Sequence, residues 1–399
     1  MHPHDIAHHA GLRKRLCFVV ESGTDVRMVE GLAQRSDLTL LARRIVGGRE
    51  ISHASSVAVP TIVGPSSRAR FAWAVLRHLL SRQQIFDVVL VQGYALAALS
   101  ANLAMRLRGT PTAMLVCSPT EGYYLCRAEC NAPGKRFRKT ELLGLRVLAR
   151  LNAYLGIRYV ALSSHLRDVI RGHRAGGSVA VVPVYGVDLE RFRPTSTSKE
   201  AIRRDLGIPV TGPIIFFSSR ISPEKDAETF LSAIALLARQ GRDLWVLNLS
   251  GGHEEFLAAA RSAGVAERIV AGDAVHPLRE LPSYYQASDL CVQASREEGL
   301  GFSPLEALAC EVPVVATAVG GLRETIVDGV TGWTYPRGDA KGLASRISEA
   351  LSDPQEGLRR ARNGRKMVEE RFDSRLAFDQ LDAIINDLSR PSVRREDRE

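Results

Sequence analysis

The sequence predicts an α/β protein of two domains, each a parallel sheet covered on both faces by helices. Three observations carry this. A chain of 399 residues is long for one core and fits two domains of ordinary size. Short apolar runs alternate with amphipathic stretches along most of its length, which is the rhythm of βα units. Apolar residues make up 45% and charged residues 24%, a balance that lets a globular chain bury large cores. The expected partition is a disordered tail at 1–11, a first domain at 12–190, a second at 191–372, a C-terminal helix at 373–389 able to pack back on the first domain, and a disordered charged tail at 390–399.

The elements follow in order. Leu16–Val20 is the first strand, Glu21–Asp25 a turn around Gly23, and Val26–Gln34 a helix. Leu38–Leu41 is a strand, Phe71–Leu80 a helix, and Asp87–Val91 and Thr112–Cys117 are strands. Val88–Met105 runs 18 residues without a charge, the threshold length for a membrane span. Its Gln92, Gly93, Tyr94, Ser100 and Asn102 favour a buried strand, a turn and an apolar helix instead. Glu141–Leu155 is amphipathic through Leu142, Leu145, Leu148 and Leu151. Tyr159–Ser163 is a strand, Ser164 caps the next helix, and Val179–Val182 is a strand. Val184–Pro194 has the Gly/Pro punctuation of a crossover. The second half repeats the rhythm. Strands are expected at Pro213–Phe217, Leu244–Leu249, Arg268–Ala271, Leu290–Gln293 and Pro313–Ala316. Helices are expected from Ser222 to Leu237, at His253–Ser262 and Leu281–Ala287, and two or three more through Leu388.

Charge and cysteines narrow the function classes. The net charge of +9 is uneven. Residues 1–190 hold 25 Lys and Arg against 13 Asp and Glu, and residues 191–399 hold 28 against 31. A basic first half draws anionic lipid, acidic substrate or nucleic acid, and nucleic acid ranks last because no reading motif accompanies the charge. Arg127–Arg150 carries seven cations against two carboxylates and leads into the amphipathic helix, so 127–155 is read either as a peripheral contact with an anionic membrane or as a surface helix. Six scattered cysteines, several in apolar runs, fit reduced thiols and a cytoplasmic setting, at the inner face of a membrane if the basic segment docks there. Cys126 and Cys130 lack a second pair to complete a zinc site, and no metal is expected. The first fifteen residues have no apolar core of the length a secretory signal needs.

The richest stretch is Arg296–Thr317, REEGLGFSPLEALACEVPVVAT. Ser303 reads as an N-cap, Pro304 as the first helical residue and Glu306 as a capping-box glutamate, so the helix is expected to start at Ser303. Its free N–H groups then face Gly299 and Gly301, a setting that suits phosphate, with Glu298 just before it. A merely capped helix after a loop, with Glu298 solvated, is the alternative reading of the same residues. Arg220 follows the strand Pro213–Phe217, and Lys225 lies in the first turn of the helix after it. Strand carboxyl ends are where doubly wound sheets bind ligands, so Arg220, Lys225, Glu298 and Glu306 fall on one edge.

Ser218–Lys225 (SSRISPEK), the Glu298-x7-Glu306 spacing and Pro313–Thr317 resemble the retaining glycosyltransferases of the GT-B fold, family 4, and Pro183–Asp188 resembles that family's interdomain linker, with Tyr185 where an Asn is common. The resemblance covers nearly all of 191–372, and over 1–190 it is one of layout. It implies two Rossmann-like doubly wound domains facing across a cleft, and a nucleotide-sugar donor, UDP-sugar before GDP-sugar, with no further cofactor. Arg220 and Lys225 would bind the diphosphate and offset charge on the leaving nucleotide without a metal, in keeping with the absence of Asp-x-Asp. Glu298 would contact the donor sugar, Glu306 the ribose, the backbone of Phe302, Ser303, Pro304 and Leu305 the phosphate oxygens, and the Gly272–Pro277 loop the base. Two departures stand out. Only Gly23 follows the first strand where the family often has a Gly pair, and Cys117–Gly122 lacks a histidine the family often carries there, leaving Ser118, Thr120 or Glu121 as replacements and His165 as a helix-start residue. The expected activity is transfer of a hexose-type sugar, with retention, to a glycan or lipid-linked acceptor. The alternatives are an epimerase-like enzyme of the same fold and a non-catalytic nucleotide-sugar binder.

Overall fold

The computed structural model describes residues 13–45, 58–130, 138–156, 158–173, 178–249, 252–272, 275 and 278–390. The calls on residues 1–11 and 391–399, on Lys135 and Arg136, and on most of Gly272–Pro277 lie outside the described residues.

The chain forms two parallel sheets, which is the fold class the sequence predicts. The first contains β1 (Arg15–Val20), β2 (Asp37–Arg43), β3 (Thr61–Gly64), β4 (Val88–Gln92), β5 (Thr112–Val116), β6 (Arg158–Ala161) and β7 (Val179–Val181), in the order β3-β2-β1-β4-β5-β6-β7. The second contains β8 (Ile214–Phe216), β9 (Trp245–Asn248), β10 (Ile269–Ala271), β11 (Leu290–Gln293), β12 (Val314–Thr317) and β13 (Trp333–Tyr335), in the order β10-β9-β8-β11-β12-β13. Each sheet reverses its winding once, between β1 and β4 in the first and between β8 and β11 in the second. These are the switch points where such sheets open a crevice at their strand carboxyl ends.

Over the described residues the chain divides into two compact units, one of residues 13–115, 148–159 and 381–390 and the other of 116–147 with 160–380. In the first, Leu16–Val20 is buried throughout because a central parallel strand is covered on both faces. Asp25 caps the helix Val26–Arg35 by accepting from the Arg27 N–H. The uncharged run at 88–105 splits into β4 and the helix Leu96–Arg108. Among the described residues no helix is long and apolar enough to cross a membrane. Asp382 pairs with Arg35 at 3.1 Å, and Asp387 with Arg158 at 2.5 Å, near the end of the helix Ser374–Ser389.

In the second unit Phe217 stacks on Phe230 and Phe256 at 4.3 and 5.8 Å. They lie in a buried cluster with Ile215, Ile234, Val246, Val292, Trp333 and Ile347. The crossover Val184–Val187 is stitched to the chain at Phe372–Ser374. The Val187 N–H donates to the Phe372 carbonyl at 2.7 Å, and the Ser374 N–H to the Val187 carbonyl at 2.9 Å. Gly186, at φ +57°, leaves no room for a side chain, since a Cβ there would lie 2.6 Å from Ser374 Cα.

Several elements differ from the sequence reading. β3 and β13 were not expected, because four and three residues are too few to show a period. The helices Thr120–Glu129 and Lys199–Asp205, the second capped by Ser198, are not among the expected elements. The helix expected from Ser222 is broken. Pro223–Lys225 is a single 3-10 turn, Asp226 takes a left-handed φ of +50°, and the α-helix runs Ala227–Arg239 with Asp226 accepting from the Thr229 N–H. In the helix Ser164–His173 it is Ser163, one residue early, whose Oγ accepts from the Leu166 N–H.

Candidate active site

Two turns leave the second sheet at its switch point. β8 and β11 are adjacent and parallel, so the segments after them emerge side by side. From β8 come Ser219, Arg220 and the Pro223–Lys225 turn. From β11 come Ser295 to Glu298, then Gly301 and the helix Phe302–Ala309. Sheet topology therefore brings together Lys225 and Glu298, which are 73 residues apart. Lys225 Nζ makes an ion pair with Glu298 Oε2, and both side chains are largely buried.

Glu298 is held by more than the lysine. Gln293 Nε2 and Ser295 Oγ both donate to its Oε2, at 3.2 and 3.0 Å. Ser219 Oγ donates to Gln293 Oε1 at 3.2 Å, Asn248 Nδ2 to the Phe217 carbonyl at 2.6 Å, and Thr317 Oγ1 to the Ser295 carbonyl at 2.7 Å. Polar side chains at the ends of β8, β9, β11 and β12 thus form a lateral network that fixes the carboxylate. Behind it, the Gly321 N–H donates to the Glu298 carbonyl at 3.0 Å. Gly320 and Gly321 lie so close that a Cβ on either would fall 2.1 Å from a carbonyl oxygen, that of Glu298 or Gly299.

The remaining predicted residues take distinct places. Arg220 is exposed, and among the described residues no hydrogen bond or ion pair holds its guanidinium, so it is available to an anion. Lys225 stands in the 3-10 turn, not in the helix expected there, because Asp226 interrupts the backbone. The helix assigned a start at Ser303 begins at Phe302. Gly301, at φ +91°, occupies the cap with no side-chain capping bond, so Ser303 is the second helical residue and not the N-cap. The capping-box role of Glu306 falls with that shift. Glu306 is buried and accepts from the Tyr285 hydroxyl at 2.9 Å. Pro304 and Leu305 are buried with it, and the Phe302 ring stacks on Tyr185 at 4.2 Å. The first N–H groups of an α-helix have no intrahelical partner, which leaves this N-terminus open to an anion. Gly23, in the first unit, follows β1 at φ +89°, and Gln92 Nε2 donates to its carbonyl at 3.1 Å.

Sequence reasoning missed a second ring of charges. Arg127 forks onto Glu224 at 3.0 and 3.2 Å. Burial pushes the Glu224 carboxyl up, but Arg127 and the local backbone hold it below the usual carboxylate range. Arg296 Nη2 reaches Asp226 Oδ1 at 2.9 Å, and the Arg296 N–H donates to the Glu224 carbonyl at 2.8 Å. His165 Nε2 lies 3.0 Å from Glu297 Oε1, and that bond raises the imidazole above its ordinary value. The Ser164 and His165 N–H groups both donate to the Glu324 carboxylate, at 3.0 and 2.7 Å. None of these pairs is near in sequence, so no local pattern announces them. The hint available was the density of charge in Arg296-Glu297-Glu298.

Among the described residues no group of three or more His, Cys, Asp or Glu side chains is placed to hold a metal ion. All six cysteines are free.

Residues 198–367 match the family described as Glycosyl transferases group 1. A D-inositol 3-phosphate glycosyltransferase of Xylanimonas cellulosilytica is 32% identical over 240 residues, 57% of this chain and 55% of the relative. A GDP-mannose-dependent alpha-(1-6)-phosphatidylinositol monomannoside mannosyltransferase of Mycolicibacterium smegmatis is 32% identical over 179 residues, 43% of this chain and 46% of the relative. The chain thus spans about half the length of the curated relatives it matches. Among solved structures, sucrose-phosphate synthase from Thermosynechococcus elongatus superposes with a TM-score of 0.76 at 20% identity, over 94% of this chain and 99% of that one. HepE of Anabaena, in complex with UDP and glucose, gives 0.74 at 18% identity over 94% and 100%. At those identities the structures establish the fold, two Rossmann-like parallel-sheet domains of the GT-B class. Residues 198–367, less than half of the chain, are thus similar to the glycosyl transferases group 1 family.

Proposed function

We propose that this protein is a glycosyltransferase that moves a sugar from a nucleotide-sugar donor to a glycan or lipid-linked acceptor, with retention of anomeric configuration. The observation that carries the reading is the convergence of Lys225 and Glu298 at the β8/β11 switch point, beside the exposed Arg220, which has no partner among the described residues, and the Gly301-capped helix N-terminus. Two cations and a helix N-terminus suit a diphosphate, and a fixed carboxylate beside them suits a sugar hydroxyl. In this reading Arg220 and Lys225 neutralise the charge that grows on the departing nucleotide, a stabilisation specific to the transition state. The leaving phosphate helps take the acceptor proton, so neither a protein nucleophile nor a metal is required. Glu306, locked by Tyr285, faces the ribose, and the Phe302–Leu305 backbone faces the phosphates. UDP-sugar is the first donor to try. GDP-mannose is the second, because one relative is named as dependent on it.

A lipid-linked acceptor is supported by the helix Lys139–Leu155. Its Leu142, Leu145 and Leu148 turn inward, while Leu143, Val147, Leu151 and Tyr154 form an exposed apolar stripe flanked by Arg138, Lys139 and Arg150. We place a peripheral contact with an anionic, inner-face membrane on this stripe. Sedimentation with anionic vesicles at low salt checks it, and no binding removes the membrane part of the reading.

The test of the activity is release of nucleotide from UDP-sugars and from GDP-mannose, with chelator present, with and without inositol phosphate or lipid acceptors. Acceptor-dependent release, lost in Glu298→Ala, supports transfer. Donor turnover that ignores acceptor points to the epimerase-like alternative, and donor binding without any turnover to the non-catalytic binder.

A further inference from the structure

We infer that the Tyr123 hydroxyl, together with Glu298, reads one hydroxyl group of the donor sugar and so sets donor specificity. The inference rests on the reading of this edge as a nucleotide-sugar site and adds a residue that the motifs there do not contain.

The helix Thr120–Glu129 packs on the Pro223–Lys225 turn, and Arg127 pins it there through Glu224. Its first turn lies against the other loop of the site. A Cβ on Gly122 would sit 2.9 Å from Glu297 Cγ, so a larger residue there would have to push the Glu297 side chain aside. Tyr123 follows Gly122 directly and precedes Arg127 by four residues, which puts it on the helix face that Arg127 uses. Tyr123 thus lies between the approach of Gly122 to Glu297 and the fork of Arg127 on Glu224. The same surroundings act on its acidity. Burial, then Glu298, Glu224 and Glu297, push the phenol up past its ordinary range against the opposing pull of Arg220. The hydroxyl stays protonated and keeps its proton to donate.

Tyr123 and Tyr124 differ in what they are bonded to. The Tyr124 hydroxyl donates to Glu141 Oε2 at 3.0 Å. The Tyr123 hydroxyl makes no hydrogen bond among the described residues, and its residue is half-buried. The Tyr123 hydroxyl is also not among the buried unpartnered side-chain atoms, so it is open to a ligand at this edge. The chemistry selects a class. The Glu298 carboxylate, ion-paired with Lys225, accepts and Tyr123 donates, while a sugar hydroxyl does both, so one hydroxyl can bridge the pair. Phosphate, acceptor-only, gains from Tyr123 but is repelled by Glu298. A site built around such a pair rejects the deoxy sugar that lacks the group.

Calorimetric titration of the full chain decides it. Wild type, Tyr123→Phe and, as control, Tyr124→Phe are titrated with UDP and UDP-glucose, and with GDP and GDP-mannose. For the base that the wild type binds, Tyr123→Phe should leave the nucleoside diphosphate Kd within twofold and weaken the nucleotide-sugar Kd about tenfold. Tyr124→Phe should change neither. Equal Kd values for the nucleotide-sugar in wild type and Tyr123→Phe overturn the inference while leaving the donor site standing. Equal weakening of both ligands overturns it too, by showing a structural role. Wild-type protein that binds none of the four overturns this inference and the functional reading together.

Discussion

Gly321→Ala isolates the placement of Glu298 from its chemistry. Gly321 has φ −69° and ψ −14°, a conformation alanine adopts freely, so the substitution adds no backbone strain. It adds only a methyl group, and that methyl falls 2.1 Å from the Gly299 carbonyl oxygen and 2.8 Å from Leu300 Cα. The first distance is short of an ordinary 3.4 Å contact by about 1.3 Å. Backbone cannot swing aside as a side-chain end can, so the Glu298–Leu300 segment must retreat by roughly 1 Å, lengthening the Gly321-to-Glu298 hydrogen bond with it. Overpacking of this kind costs about 2 kcal/mol, which lowers an apparent Tm by roughly 4–8 °C. A 1 Å displacement of a positioning carboxylate lowers turnover about a hundredfold. The assay pairs thermal unfolding with donor turnover and uses Gly144→Ala as reference. Gly144 sits inside the helix Lys139–Leu155 with nothing near its absent Cβ, so that change should stabilise by about 0.5–1 kcal/mol. Gly321→Ala with wild-type stability and turnover would refute the claim that the 320–321 turn holds Glu298 in place.

Two further outcomes follow from the same contacts. Tyr285→Phe removes the hydroxyl that donates to buried Glu306, and should destabilise by about 1–3 kcal/mol in urea unfolding; an unchanged midpoint would mean that other groups satisfy the carboxylate. His165 is raised by its bond to Glu297, so its stabilising contribution is full below the unfolded imidazole's pKa and is lost as pH rises through the higher folded value. The gap in Tm between wild type and Glu297→Gln should therefore be widest near pH 5 and close toward pH 8, and a gap independent of pH would contradict the pairing.

Legibility in the sequence followed the range of the interactions. Central strands such as β1 and β11 were plain because a strand buried on both faces is a bare apolar run. Edge strands β3 and β13 were too short to show a pattern. The carboxylates and cations of the site were legible as residues on one sheet edge, and topology supplied what sequence could not, the meeting of Lys225 with Glu298. Helix caps were misplaced by two residues at Ser303 and by one at Ser164, where glycine geometry at Gly301 and the neighbouring Ser163 supplied the cap. The break at Asp226 went unseen because a non-glycine residue at φ +50° has no sequence signature. Arg127–Glu224 and His165–Glu297 span 97 and 132 residues, and only the folded chain brings them together.

The most direct test of the central claim is thermal unfolding with UDP, GDP and ADP in turn, without added metal, on wild type and Lys225→Ala. A nucleotide at about 100 times its Kd stabilises the fold by roughly 2.7 kcal/mol. The account predicts a clear upward shift of the wild-type Tm with one nucleotide and its loss in Lys225→Ala, whose substitution removes the cation paired with Glu298. No shift with any of the three, in protein that unfolds cooperatively, would contradict it.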